Sequence, residues 1–332
     1  MLVVLIRSNI HFDKHTMSII KIIKRKICLY RRIEEIIQSY NSQTIEFLIQ
    51  QLHEAKIQGY RIKAIESTKA GISKNKYCDK EIIVSLTSYG VRIYDVSIAI
   101  ESIMQGSLLP NRIVLWLSKQ EFQGKTLPQT LLRQVERGLE IKFTDDIRSY
   151  KKLIPSLQTY PDSVIITIDD DLVYCYDFVE KLVNEYKADV TCIHAYRVSK
   201  MTFCKDGQLQ SYLDWENQHE EGNKSRFNFF TTGGGVLFPP NSLDNNVFDS
   251  SVFMSICEYA DDVWMNAMAI KKGTLVRKTY SHNEEGDEFI PISIHQKDAL
   301  CIENNNPLNC RNDVQIKAVF ERYGIFQKLR EG

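Results

Sequence analysis

The sequence predicts a doubly wound α/β fold preceded by a helical extension, and three observations carry that prediction. Beyond Lys80 short β-favouring runs alternate with helical stretches, the rhythm that a mostly parallel sheet flanked by helices requires. The apolar run Val164-Ile165-Ile166-Thr167-Ile168 ends in Asp169-Asp170-Asp171, as a buried strand does when it delivers polar groups to the rim of a sheet. Upstream of Lys80 the apolar residues recur instead at helical spacing, which sets that segment apart.

From Met17 to Tyr40 the residues Ile19, Ile20, Ile23, Ile27, Tyr30, Ile33 and Ile37 mark one face of an amphipathic helix. Its polar face is read as carrying Lys21, Lys24, Arg25, Lys26, Arg31 and Arg32, with no acid before Glu34. Residues 17–40 therefore suit either peripheral contact with an anionic membrane or docking on the chain's own core. A second helix is expected from Gln43 to Gln58, then a polar linker from Ser67 to Lys80. Met17 is an alternative start.

The sheet is then read in order. Ile82–Leu86 forms the first strand, Val96–Met104 a helix, Ile113–Leu117 the second strand, and Pro128–Arg137 a helix opened by its proline. Leu139–Phe143 is the third strand, Ser149–Tyr160 a helix, and Val164–Ile168 the fourth strand. A helix over Tyr176–Tyr186 and strands at Val190–Ala195 and Thr274–Lys278 follow, and Asp313–Tyr323 is an amphipathic helix expected to pack on the core. The expected domain limits are 1–79 for the extension and linker, 80–300 for the α/β domain, and 301–332 for a helical tail.

Composition excludes some functions. The 332 residues, 43% of them hydrophobic, can bury a substantial core. Forty-two basic residues balance 42 acidic ones, so no global field favours nucleic acid. The eight cysteines include no CxxC pair or zinc spacing, which fits reduced thiols and a cytoplasmic location, at most peripheral to the inner membrane face. The opening Met1–Ile6 run is too short to span a bilayer and is followed, not preceded, by Arg7, so neither a secretion signal nor a transmembrane helix is expected.

Three adjacent carboxylates repel one another unless a cation sits among them. All-oxygen ligands suit a hard divalent ion, Mn²⁺ or Mg²⁺, with water and a diphosphate completing its shell. The competing reading is an acidic turn capping the next helix. Two loops suit the nucleotide itself: Thr87-Ser88-Tyr89-Gly90-Val91-Arg92 and Arg148-Ser149-Tyr150-Lys151-Lys152 both combine cations, hydroxyls and an aromatic ring.

The run Ser85-Leu86-Thr87-Ser88-Tyr89, the segment Ile113–Ser118 and Ile168-Asp169-Asp170-Asp171 resemble the nucleotide-binding half of GT-A-fold glycosyltransferases with a DXD motif. The likeness is to the family 2-like bacterial enzymes of surface polysaccharides such as O-antigen and capsule, and it covers about Lys80 to His282. It implies a nucleotide-sugar donor, such as a UDP-sugar, whose departing diphosphate is neutralised by the metal. In that scheme Asp171 binds the metal, Asp169 meets the ribose or base and shares the metal, and Asp170 completes the donor-nucleotide site as a partner behind them or a ligand through water. Thr87, Ser88 and Tyr89 line the nucleotide, while Arg92 or Lys152 meets the diphosphate. Gly233, Gly234 and Gly235 line the donor-sugar and acceptor site, where the alternative is a glycine-rich bend.

Glu258-Tyr259-Ala260-Asp261-Asp262-Val263-Trp264 resembles the ED-type motif of inverting members. Asp262 is the expected base that takes the acceptor's proton, with Asp261 in reserve and helix capping as the alternative for both. His282, or less favoured His295, is the expected third metal ligand. The expected acceptor is a glycan, possible on a polyprenyl diphosphate. The rivals are a nucleotidyl- or phosphosugar transferase and a non-catalytic subunit that binds sugar or lipid carrier.

Overall fold

The computed structural model describes residues 14–216, 222–280, 289–292, 304 and 310–330, without the side chains of 14–30, 33, 34 and 37. The chain divides into two units, Met1–Ala55 and Lys56–Gly332. A single helix, α1 (Lys14–Glu66), provides the described part of the first and enters the second. The two helices expected at Met17–Tyr40 and Gln43–Gln58 are thus one. In the polar interval between them the Ser42 and Thr44 hydroxyls donate to the carbonyls of Gln38 and Tyr40, both at 2.9 Å. Such back-bonding lets short polar residues sit inside a helix.

In the second unit, strands and helices alternate as expected: β1 (Ile82–Thr87), α2 (Val96–Met104), β2 (Arg112–Ser118), α3 (Lys119–Phe122), α4 (Gln129–Glu136) and β3 (Leu139–Thr144). The helix read at Ser149–Tyr160 is a 3-10 turn, Arg148–Lys152, followed by α5 (Ile154–Thr159). Pro155 in its first turn supplies a fixed φ where no N–H is needed. Then come β4 (Val164–Thr167), β5 (Leu172–Tyr174), α6 (Phe178–Ala188), β6 (Ile193–Ala195), β7 (Val198–Lys200), β8 (Lys224–Ser225), β9 (Asn228–Phe230) and β10 (Val236–Phe238). The chain continues with α7 (Ser250–Ile256), α8 (Asp261–Lys272), β11 (Val276–Lys278) and β12 (Phe289–Pro291).

Eight strands form one sheet in the order β3-β2-β1-β4-β10-β6-β11-β8. β3, β2, β1 and β4 are parallel, as are β6 and β11, whereas β10 runs antiparallel between β4 and β6. Inserting β10 brings its leading turn, Thr231–Gly235, to the carboxyl end of β4, because an antiparallel strand starts where its neighbour stops. That insertion is what builds the site. Sequence reading saw neither β10 nor the small pairs β5/β12 and β7/β9.

Both faces of the sheet are covered. Ile83, Val114 and Ile165 face one apolar cluster together with Trp264, Val319 and Phe320, while Ile82, Val84, Ile113, Leu115 and Ile166 face another with Ile100 and Leu182. The period of two along each strand splits it between two cores, hence the near-continuous apolar runs. Helices Arg311–Tyr323 and Ile325–Arg330 bury Ile316, Phe320, Ile325 and Leu329 in the first cluster, a packing role for the tail.

The expected linker at 67–80 is tied down. Gly71 N–H donates to the Arg137 carbonyl at 2.9 Å, and Asn111 donates to the carbonyls of Ser73 and Asn75 at 3.0 and 2.8 Å. Arg137 itself donates to the Lys69 carbonyl and makes a two-pronged pair with buried Glu101 at 2.8 and 2.9 Å. Breaking one side of such a buried pair typically costs about 3–5 kcal/mol.

Candidate active site

The carboxyl ends of β1 and β4, the turn before β10 and the start of α8 converge on one acidic centre. At the end of β4, Asp169 remains partly open while Asp170 and Asp171 are buried. The loop after β1 folds over the latter two. Ser88 Oγ donates to Asp170 Oδ2 at 2.6 Å, and Arg92 Nη1 reaches Asp170 Oδ1 at 3.1 Å and Asp171 Oδ2 at 2.9 Å. One guanidinium thus serves two carboxylates. The Asp171 carboxyl is nevertheless pushed up to about 6, first by burial and then by Asp169 and Asp170, which outweigh Arg92. Asp170 is raised too, chiefly by burial.

Asp169 turns the other way. Its Oδ1 accepts from Lys152 Nζ at 2.7 Å, and its backbone N–H donates to the Tyr174 hydroxyl, which donates to the Gly233 carbonyl at 2.8 Å. Burial works against the charge on Lys152, yet Asp169, Asp261 and Asp262 together raise its pKa. The ammonium therefore stays protonated at neutral pH.

The second acidic pair opens α8. Negative charge in a helix's first turn is favoured by the backbone dipole, so capping and chemistry make compatible demands here. Lys152 Nζ lies 3.4 Å from Asp261 Oδ2, and Ser149 Oγ donates to Asp261 Oδ1 at 2.8 Å. Thr232 joins everything. Its N–H donates to Asp262 Oδ1 at 2.7 Å, its Oγ1 lies 2.8 Å from Asp261 Oδ2 and 2.7 Å from Asp262 Oδ1, and it accepts from Lys152 at 3.0 Å. A hydroxyl has one proton, so it serves one of the two carboxylates at a time. The Asp262 carboxyl is pushed up to about 7, by burial first and Asp261 second.

Each of the three glycines has a steric reason, Gly234 because a Cβ there would lie 2.6 Å from the Arg197 side chain. A Cβ on Gly233 would lie 1.7 Å from Asp169 Oδ2, so the carboxylate occupies the space of a missing side chain. Gly235 has φ +90° and would drive a Cβ to 2.4 Å from the Phe178 ring. Tyr89 is exposed, with the Arg92 guanidinium 5.1 Å from its ring centre.

The structure thus brings Ser88, Arg92, Lys152, Asp169, Asp170, Asp171, Gly233, Asp261 and Asp262 together. Arg92 and Lys152, expected at a diphosphate, instead spend their charge on carboxylates that the sequence had not paired with them. Thr87 Oγ1 donates to the Trp116 carbonyl, a bond within the sheet. In the second expected nucleotide loop, Tyr150 is a core residue, stacked on Phe253 at 3.9 Å and donating to the Cys257 carbonyl, and Arg148 pairs with Glu258. Thr232 and Tyr174 went unrecognised. Thr232 sits beside the glycine run, but nothing local shows that its hydroxyl meets residues some thirty positions away.

His282 and His295 lie outside the described residues. Among the described residues no three His, Cys, Asp or Glu groups converge closely enough to hold a metal ion by themselves. The residues still fit a magnesium-like ion, which is commonly held by one or two carboxylates with substrate phosphate and water. Asp169 Oδ2 has no hydrogen-bond partner among the described residues, and the mutual repulsion that raises Asp171 is what a divalent cation would relieve. The six cysteines with described side chains are free.

No protein-family model matches the sequence, and no curated protein matches it. Among solved structures the chain is similar to a mannosyltransferase of Pyrobaculum calidifontis in complex with GDP-mannose and Mn²⁺, at 13% identity and TM-score 0.30 over 45% of each chain. It is similar to glucosyl-3-phosphoglycerate synthase of Mycobacterium tuberculosis in complex with Mn²⁺, UDP and phosphoglyceric acid, at 18% identity and TM-score 0.27 over 36% of this chain and 43% of that one. HddC of Yersinia pseudotuberculosis, complexed with GMP-PN, aligns at 12% identity and TM-score 0.31 over 48% of this chain and 77% of its own. The alignments thus span less than half of the first two proteins.

Proposed function

We propose that this chain transfers a sugar, of hexosyl type, from a nucleoside-diphosphate sugar to a hydroxyl of a glycan acceptor, with inversion at the anomeric carbon. One observation carries the reading: two carboxylate clusters, Asp169–Asp171 and Asp261–Asp262, meet at the carboxyl ends of parallel strands and are joined through Lys152 and Thr232. Such a rim is where α/β sheets bind ligands. Asp169 and Asp171 would hold Mn²⁺ or Mg²⁺, which supplies positive charge for the departing diphosphate.

The chain's own residues do the rest. Asp262 accepts the acceptor's proton, and a carboxyl raised to about 7 is well matched to that task near neutral pH. Lys152 stays charged and holds Asp169 and Asp261 in place beside it. Exposed Tyr89 offers a ring face for the base, and the Gly233–Gly235 turn, with no side chains of its own, leaves room for the Asp169 carboxylate at the rim of the site. A UDP-sugar donor, an acceptor on a polyprenyl diphosphate at the inner membrane face, and a place in surface-polysaccharide assembly complete the proposal on the strength of the motif resemblance.

The test is product analysis with purified protein, Mn²⁺ and a panel of nucleotide sugars. Release of nucleoside diphosphate is expected. Pyrophosphate release would instead make it a nucleotidyltransferase, and release of neither product from any donor would refute catalysis in favour of a binding subunit.

A further inference from the structure

Between Arg31 and Ala55, α1 leaves its apolar residues in water. Ile36, Tyr40, Ile45, Phe47, Leu48 and Leu52 are each more than half exposed. At about 100° per residue these six fall within an arc of about 180°, which Asn41, Thr44 and Gln51 interrupt with small or uncharged polar side chains. Arg31, Arg32, Glu35, Ser39, Ser42 and Glu46 occupy the opposite arc. Helices in water draw most of their stability from packing such a face, so this one needs an occupant.

Width and charge choose the occupant. The apolar arc is far broader than the narrow seam of a two-stranded coiled coil, whereas a flat apolar phase accepts half a cylinder. Upstream, the sequence places Lys21, Lys24 and Arg25 on the same polar arc as Arg31 and Arg32, with no acid between Met17 and Glu34. By the same spacing Lys26, read above as part of the polar face, falls inside the apolar arc. A second copy in parallel would set this cationic stretch against itself. Among the described residues no helix is long and apolar enough to cross a membrane, so α1 would lie along a surface, not through it.

We propose that α1 docks flat on an anionic phospholipid surface, its apolar arc in the headgroup boundary and its cations against lipid phosphates. The inference is independent of the transfer reaction. Flotation of the full chain with phosphatidylcholine vesicles, with and without phosphatidylglycerol, reads it directly. Binding is expected on the phosphatidylglycerol vesicles and much less on the neutral ones. Each of Arg31→Gln and Arg32→Gln should weaken partitioning by about fivefold. The exposed pair Phe47→Ser with Leu48→Ser should abolish binding while circular dichroism still shows the helix. Equal binding to neutral vesicles, binding to neither, or a light-scattering mass that shows self-association dissolved by the Phe47/Leu48 pair would overturn the proposal.

Discussion

Asp170 and Asp171 share one guanidinium, whereas Asp261 and Asp262 share one hydroxyl and a lysine that Asp169 also claims. The first cluster holds more acids than its cations balance, and burial adds to the imbalance, so it is primed for a further positive charge. The second is satisfied by hydrogen bonds that steady geometry without supplying much charge. Asp262 is left easy to protonate near neutral pH, as its proposed role as a base requires, and the same network holds it in place. Two carboxylate pairs at one sheet edge thus differ in character because their neighbours differ.

The sharpest way to break that comparison is Asp171→Asn. Loss of the proposed metal ligand should cut nucleoside-diphosphate release with Mn²⁺ on the order of a thousandfold or more. Near wild-type turnover would remove the first cluster from the chemistry. Next comes Asp262→Asn, for which turnover should fall on the order of a hundredfold to a thousandfold while calorimetry shows donor affinity little changed. Lost donor binding with unchanged turnover per bound complex would reassign Asp262 to the donor site.

A smaller effect is expected at the bridge. Thr232→Val keeps the shape but removes the hydroxyl shared by both carboxylates, and should lower stability by about 2 kcal/mol in urea denaturation. Thr232→Ser should restore most of it, and failure to do so would shift the effect from the hydroxyl to packing of the methyl group.

The pH dependence sharpens the second cluster. Because Asp262 titrates near 7 when folded, above its unfolded value, the unfolded chain loses that proton first and stability contributed by the group falls as pH rises from about 4 to about 7. Turnover should rise over the approach to pH 7 as the base ionises. Asp262→Asn should flatten the stability slope, and an unchanged slope would assign it to another group. The smallest effect is expected far from both clusters. Leu48→Ser, on an exposed stretch of α1, should alter stability by no more than about 0.5 kcal/mol.

Much of the scaffold was legible because it is written locally. The helix at Val96–Met104 coincides with its expected limits, and β1, β2, β3 and β4 lie within a residue or two of theirs, since β1, β2 and β4 are mostly apolar runs and β3 alternates apolar with polar residues. Local reading misplaced what long-range contacts decide. The break expected within α1 is absent, its short polar side chains bonding to carbonyls of their own helix, and the polar stretch at 67–80 is held by Arg137 and Asn111 from elsewhere in the chain. Tyr150 shows the same limit: an aromatic ring flanked by cations looked like a nucleotide platform, but the fold turned it into the core.

The sequence by itself determined the α/β alternation, the acidic end of β4 and the acidic start of α8, because strand and helix periodicities and their polar ends are properties of neighbouring residues. Only the tertiary structure decided that these ends meet. The antiparallel insertion of β10 between β4 and β6 brings Thr232 and Gly233 to Asp169, and burial places Lys152 where its charge answers two acidic clusters at once. Both depend on strand order and on desolvation, which arise only when distant segments pack together.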